Sequence, residues 1–171
     1  MQTVTVNQAR IETPAGTVEI GVADGALVSL YFVDDSDAPT DLPAGDDPNG
    51  VLGRLRRYFE GDLHAIDDLP VRFDRGTDFQ HDVWNALRTI PVGETISYAE
   101  LAQRVGRPSA FRAVGSANGQ NPVGVVVPCH RVIASDGTLG GYAGGLDRKR
   151  WLLAHEGAPV DDAAPELPGL T

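Results

Sequence analysis

The chemistry of this chain centres on its one cysteine, Cys129, in the run Pro128-Cys129-His130-Arg131. A lone cysteine is ordinarily a small, inert core residue, and its neighbours single this one out. A thiol of ordinary pKa, about 8.5, needs a base or a positive environment to become a thiolate near neutral pH. His130 and Arg131 can supply both. Glu156 can orient His130 and balance its charge, the arrangement that activates a nucleophile. Read as the end of a strand, the cysteine would point away from its neighbour, so a turn or a bridging water is needed to join Cys129 to His130. With a single cysteine the chain has no intramolecular disulfide and no multi-cysteine zinc site.

The charges are unevenly placed. Among 171 residues there are 24 Asp and Glu against 14 Lys and Arg, a net charge of -10. Lys149 is the only lysine, and 17 of the acids are Asp. An acidic, lysine-poor composition suits a cytoplasm of high salt and by itself argues against binding nucleic acid. The distribution argues the other way. From Leu101 to Ser135 there is no acid, while Arg104, Arg107, Arg112 and Arg131 remain. Burial alone would not retain four arginines, and a surface facing an anion would. Hydrophobic residues at 42% and charged residues at 22% describe a globular chain. No apolar run approaches a membrane span, and the N-terminus shows no secretory signal. A cytoplasmic protein is the expectation.

The elements that must hold these residues follow from pattern. Thr3–Val6, Arg10–Glu12, Val18–Val22 and Leu27–Val33 read as strands of an antiparallel meander, broken at Pro14-Ala15-Gly16 and Asp24-Gly25. Residues 34–49 read as a loop. Leu52, Leu55, Tyr58 and Phe59 recur at helical spacing and stop at Gly61, and Val71–Phe73 reads as a last strand. Thr77 or Asp78 caps a helix bearing Phe79, Val83, Leu87 and Ile90 on one face. Ser97-Tyr98-Ala99-Glu100 is a capping box opening a helix to Val105. Gly106 ends it, and a second short helix runs from about Ala110 to Asn118, giving a helix-turn-helix. Val123–Val127 reads as a strand ending at Cys129. Gly140–Gly145 is a glycine loop, and Arg148–His155 a closing helix. The expected fold is α/β, more strictly α+β. A sheet-plus-helix domain (1–76) precedes a helix-turn-helix and cysteine-loop domain (77–157), and a mobile acidic tail (158–171) follows.

Taken together, Phe79-Gln80-x-x-Val83-Trp84, Ile90-Pro91-x-Gly93, Ser97-Tyr98, Arg112-Ala113-Val114-Gly115, Asn121-Pro122-Val123, Pro128-Cys129-His130-Arg131-Val132, Gly141-Tyr142-x-Gly144-Gly145, Lys149-x-x-Leu152-Leu153 and Glu156 closely resemble the O6-alkylguanine-DNA alkyltransferases. The resemblance spans about residues 78–157. It implies a DNA repair protein that flips an alkylated guanine out of the duplex and moves the O6-alkyl group onto its own cysteine, once per molecule and without a cofactor; O4-alkylthymine would be a second substrate. Carried onto this chain, it implies Cys129 as acceptor, His130 as the base acting through a water, and Glu156 as the residue holding His130. Tyr98 would contact guanine N3 and neutralise the leaving base. Arg112 would replace the flipped base in the stack, with Ala113, Gly115, Ser116 and Arg131 on the DNA. Asn121 would tie the helix-turn-helix to the cysteine loop. Tyr142, Ala143 and Gly144 would cover the pocket, the carbonyls of Cys129 and Val132 would accept from the guanine amino group, and Lys149 would support the site.

The chemistry of the residues agrees. Displacement at an alkyl carbon wants a soft thiolate and a protonated leaving base, the target atom is unreachable inside a duplex, and a small-residue helix with one Arg suits the minor groove. The resemblance further implies double-stranded DNA carrying O6-alkylguanine as partner, a monomer, no obligate protein partner and no membrane. Some relatives hold zinc through N-terminal cysteines, and this chain has none there. Ala143 stands where some have Ser, so only its backbone can donate. The alternatives are a binding module that flags damaged bases, a transcriptional regulator, and a Cys-His hydrolase. The first is disfavoured by Cys129 itself. The second leaves Tyr98, Cys129 and Glu156 unused, and the third needs an oxyanion hole.

Overall fold

The computed structural model describes residues 5–159. The chain divides into two compact units, Met1–Arg75 with Pro122–Val126, and Gly76–Asn121 with Val127–Thr171. A single cut near residue 76 therefore misses a detail: the segment 122–126 goes with the first unit. The expected tail begins at Ala158 and lies outside the described residues from 160 onward.

In the first unit, strands β1 (Asn7–Thr13), β2 (Gly16–Ala23) and β3 (Ala26–Val33) form an antiparallel sheet in that order. The register pairs Thr13 with Gly16 and Ala23 with Ala26, so both loops have two residues. At the second loop Asp24 and Gly25 have φ of 51° and 78°, the left-handed pair that matches the twist of a tight hairpin. Alternating residues Ala9, Ile11, Val18, Ile20 and Val22 are buried, as a one-sided sheet requires. Helix α1 (Val51–Phe59) buries Val51, Leu52, Leu55, Tyr58 and Phe59. Asp47 starts it by accepting from the backbone N–H groups of Val51 and Leu52.

Three expected strands are corrected. Thr3 and Val4 lie outside the described residues, and Thr5 and Val6 are not in a strand. Val71–Phe73 reduces to one parallel bridge between Val71 and Leu27. Val123–Val127 likewise makes one bridge, Val123 to Leu30, with Leu30 donating to the Pro122 carbonyl at 3.0 Å and Gly124 to the Leu30 carbonyl at 3.1 Å. The chain then reverses: Val126 donates to the Gly124 carbonyl at 2.8 Å across Val125, whose φ is 70°. A β-branched residue at positive φ in a three-residue turn is strained. With this reversal at its centre and a non-donating proline at each flank, the segment has no extended run to pair, whatever its apolar composition.

The second unit opens with α2 (Asp78–Leu87), where Thr77 and Gln80 form a reciprocal capping box. Val83, Trp84 and Leu87 are its buried face, and the Trp84 indole donates to the Ala117 carbonyl at 2.8 Å. Thr77→Ala should cost about 1 kcal/mol, read as a lower denaturant midpoint with unchanged slope. Strand β4 (Ile96–Ser97) pairs in parallel with β5 (Val132–Ile133). Helix α3 (Tyr98–Arg104) is capped by the Ser97 side chain, which accepts from Glu100 N–H. The expected box is only half made there, because the Glu100 carboxylate takes Arg104 at 2.6 Å instead. Helix α4 (Phe111–Gly119) follows a turn through Gly106 and packs on α2 and α3. Helix α5 (Leu146–His155) closes the unit. No helix among the described residues is long and apolar enough to cross a membrane.

Candidate active site and nucleic-acid interface

Cys129 is not at a strand end. It begins a 3-10 turn, Cys129–Arg131, entered from Pro128 with Cys129 N–H donating to the Val127 carbonyl at 2.8 Å. Such a turn spaces successive side chains by about a third of a revolution instead of alternating them on opposite faces, so a water is still needed to join Cys129 to His130. Cys129 is 7% exposed, and His130, Arg131 and Glu156 are buried with it.

The buried centre is a three-residue cluster. Arg131 donates Nε and Nη2 to the two Glu156 carboxylate oxygens at 2.8 and 2.9 Å, and Nη1 to the Ile90 carbonyl at 2.7 Å. His130 Nε2 stands 3.0 Å from Glu156 Oε1, close enough for an ion pair but outside hydrogen-bond geometry, and Nδ1 has no protein partner. Burial opposes ionisation of Glu156, yet His130 and Arg131 together hold its carboxyl well below the usual range. Burial lowers the His130 pKa against the pull of Glu156, so the imidazole is neutral at neutral pH. Burial raises the Cys129 thiol, while an Asn121 hydrogen bond and the Lys149 charge work the other way. The resting site thus holds a thiol beside a neutral base.

Arg131 was expected on a DNA surface and is instead internal. Its forked guanidinium is spent on Glu156 and Ile90, which fixes the end of α5 to the cysteine turn. The anion-facing segment is thinner than its arginine count implied. Arg104 pairs with Glu100, and Arg107 lies over the Phe79 ring at 5.5 Å. Of the four, Arg112 stands exposed with no ion pair, hydrogen bond or ring contact among the described residues. It projects from α4 beside exposed Ala113 and Ser116 and half-buried Gly115.

Lys149 is fully buried in α5. Its three N–H groups meet three carbonyls: Val132 at 2.7 Å, Gly141 at 3.0 Å, and Leu139. That satisfies an ammonium completely. Burial brings its pKa down to about 8, with Cys129 opposing. The Val132 carbonyl therefore serves Lys149, and the Cys129 carbonyl takes both the Val132 N–H and Asn118 Nδ2, the latter at 3.4 Å. Asn121 donates to the Val127 carbonyl at 2.7 Å. Asn118 and Asn121, three residues apart, thus both grip the chain around Cys129. Asn118 went unremarked in the sequence, where only its i, i+3 spacing from Asn121 signals it.

Tyr98 is half-buried, with Oη 3.5 Å from the Gly141 carbonyl and Lys149 Nζ 5.9 Å from its ring. Burial, then Cys129, raises its pKa, so it remains a proton donor. A Cβ on Gly140 would lie 3.1 Å from Tyr98 Oη, and φ there is 71°, so only glycine fits. Tyr142 is pushed well above its ordinary value by burial and then by Cys129 and Glu156. Its carbonyl takes Gly145 N–H at 3.0 Å in the turn through exposed Ala143 and half-buried Gly144. Among the described residues, no cluster of three or more metal-ligating side chains occurs.

Comparison with known proteins bears on this geometry. The sequence model of the 6-O-methylguanine DNA methyltransferase DNA-binding domain matches residues 78–158. A methylated-DNA–protein-cysteine methyltransferase of Shigella flexneri is 57% identical over 110 residues, which span 64% of this chain and 64% of that relative. The one of Mycobacterium tuberculosis H37Rv is 44% identical over 162 residues, 91% of this chain and 96% of the relative. The crystal structure of Mycobacterium tuberculosis O6-methylguanine methyltransferase superposes with a TM-score of 0.76 at 41% identity, covering 92% of this chain and 97% of that one. A crystal structure of the same bacterium's OGT in complex with DNA gives 0.76 at 41%, covering 90% and 95%.

Proposed function

The chain belongs to the O6-methylguanine-DNA methyltransferase family, and from that premise we propose that it repairs DNA by taking the alkyl group of O6-alkylguanine onto Cys129. What carries the reading is the buried His130–Glu156 pair next to buried Cys129, in the same unit as helix α4 with its exposed, unpaired Arg112. The substrate is double-stranded DNA with the lesion, and O4-alkylthymine belongs to the same chemistry. The protein acts as a monomer.

Arg112 enters the stack as the base leaves it, with Ala113, Gly115 and Ser116 letting the α4 backbone close on the minor groove. The carbonyls of Cys129 and Val132 accept from the guanine amino group, the first by giving up its long contact with Asn118. Tyr142, Ala143 and Gly144 form the rim of the pocket. Neutral His130 takes the thiol proton through a water at Nδ1, and Glu156 stabilises the imidazolium. The thiolate attacks the alkyl carbon, a C–S bond forms, the C–O6 bond breaks, and the electron pair stays on guanine. Tyr98, held protonated, hydrogen-bonds the departing base, which regains the one proton the thiol lost. The thioether does not hydrolyse, so each molecule acts once.

Intact mass after mixing with an O6-methylguanine duplex, at several salt concentrations, tests this directly. Wild type should gain one methylene per molecule and stop, and Cys129→Ala should gain nothing while still binding. Salt should weaken binding through counterion release without changing the stoichiometry. Binding with no mass gain in wild type at any salt would replace the reading with a module that flags damaged bases.

A further inference from the structure

The exposed face of α4 is almost bare. It carries Ala113, Ser116 and Gly119, with half-buried Gly115 between them. Only two longer side chains project from the helix itself into solvent, Phe111 and Arg112, both in its first turn. Phe111 is 52% exposed, the highest value among the large hydrophobic residues that stand exposed. At the helical step of about 100° per residue, Phe111 and Gly115 are neighbours on one flank of α4, with Arg112 farther round. A Cβ on Gly115 would lie 3.8 Å from the Tyr98 ring, so Tyr98 lies along that same flank. Phe111 therefore stands on the Tyr98 side of Arg112.

The exposed phenyl ring leaves apolar surface in water, and it sits one residue from the side chain assigned to the gap in the stack. Apolar wedges beside cationic side chains are how minor-groove proteins hold a distorted base step open. We infer that Phe111 is a second wedge, stacking on the base pair next to the lesion on the pocket side while Arg112 fills the vacated position. This rests on the DNA-repair reading above and adds a residue to its DNA-contacting set. A ring supplies adhesion that salt does not screen, which suits a chain of net charge -10.

The test compares transfer from an O6-methylguanine duplex with transfer from the free nucleoside O6-methyl-2′-deoxyguanosine, in wild type, F111A and F111L. F111A should lose roughly 5- to 100-fold in rate and affinity on the duplex, the range of one base–aromatic stack, and keep the nucleoside rate. F111L should recover part of the loss. In F111W, emission above the background of Trp84 and Trp151 should be quenched on binding the duplex. An unchanged duplex rate in F111A overturns the inference. So does an equal fall on both substrates, which marks a structural residue, or a wild-type self-association that F111A abolishes. If wild type alkylates from neither substrate, the repair reading itself fails, a result distinct from any of these.

Discussion

Arg131→Leu should cost the fold about 3–5 kcal/mol, the usual result of breaking a buried ion pair on one side. The substitution takes from the buried Glu156 carboxylate its forked guanidinium partner, and strips the Ile90 carbonyl of its Arg131 donor. A DNA-contacting arginine would behave otherwise: affinity would drop, its salt dependence would flatten, and stability would stay put. Denaturant unfolding and duplex binding on one preparation separate the two. The acid limb is a second readout. Glu156 is held below its unfolded value, so its contribution is fully present above the ordinary carboxylate range and disappears as pH falls toward the folded pKa. Without Arg131 that depression shrinks, and the variant should lose less stability between pH 5 and pH 3, in the window given by that rule, than wild type does.

Lys149→Met should be nearly as damaging, by a different route. Three carbonyls, of Val132, Leu139 and Gly141, lose their shared donor, and unsatisfied buried acceptors cost about 1–3 kcal/mol each, less what the loop recovers by opening. The loop carrying Gly140 and Gly141 loses its tether, and with it the surface Tyr98 rests on. The cation also favours the Cys129 thiolate. The variant's thiol should therefore alkylate with iodoacetamide at a higher midpoint pH than wild type, checked by rate against pH on protein shown to be folded. A thiol midpoint that does not move would assign Lys149 a purely structural role.

Much of this was legible in the residues. The two-residue turns at Pro14-Ala15 and Asp24-Gly25, the cap at Thr77 and the stop at Gly61 are local signals, and each shaped the chain where it stood. The pairing of His130 with Glu156 was foreseen as chemistry. Two things were not legible. Val123–Val127 has the composition of a strand, but a strand needs an extended run, and the reversal at Val125 between two flanking prolines decides against it. Arg131 was counted as surface charge because sequence lists an arginine without its direction. The 3-10 turn aims it inward, and a guanidinium is buried only where a carboxylate waits 25 positions later. Phe111 was invisible for the complementary reason, since a phenylalanine in an amphipathic pattern reads as core.

The short excursion of residues 122–126 limits how modular this chain can be. Its first unit is closed by five residues borrowed from deep within the second, including fully buried Val123 and Val125. No single cut yields two complete pieces. A fragment starting at residue 77 carries an apolar strap with no Leu30 to bridge, and a fragment ending at 76 lacks it. The strap stops three residues short of Cys129, so a cut on its C-terminal side falls between the turn strained at Val125 and the 3-10 turn that Cys129 begins. Shortening, fusing or circularly permuting this protein has to respect a dependence written into its chain path.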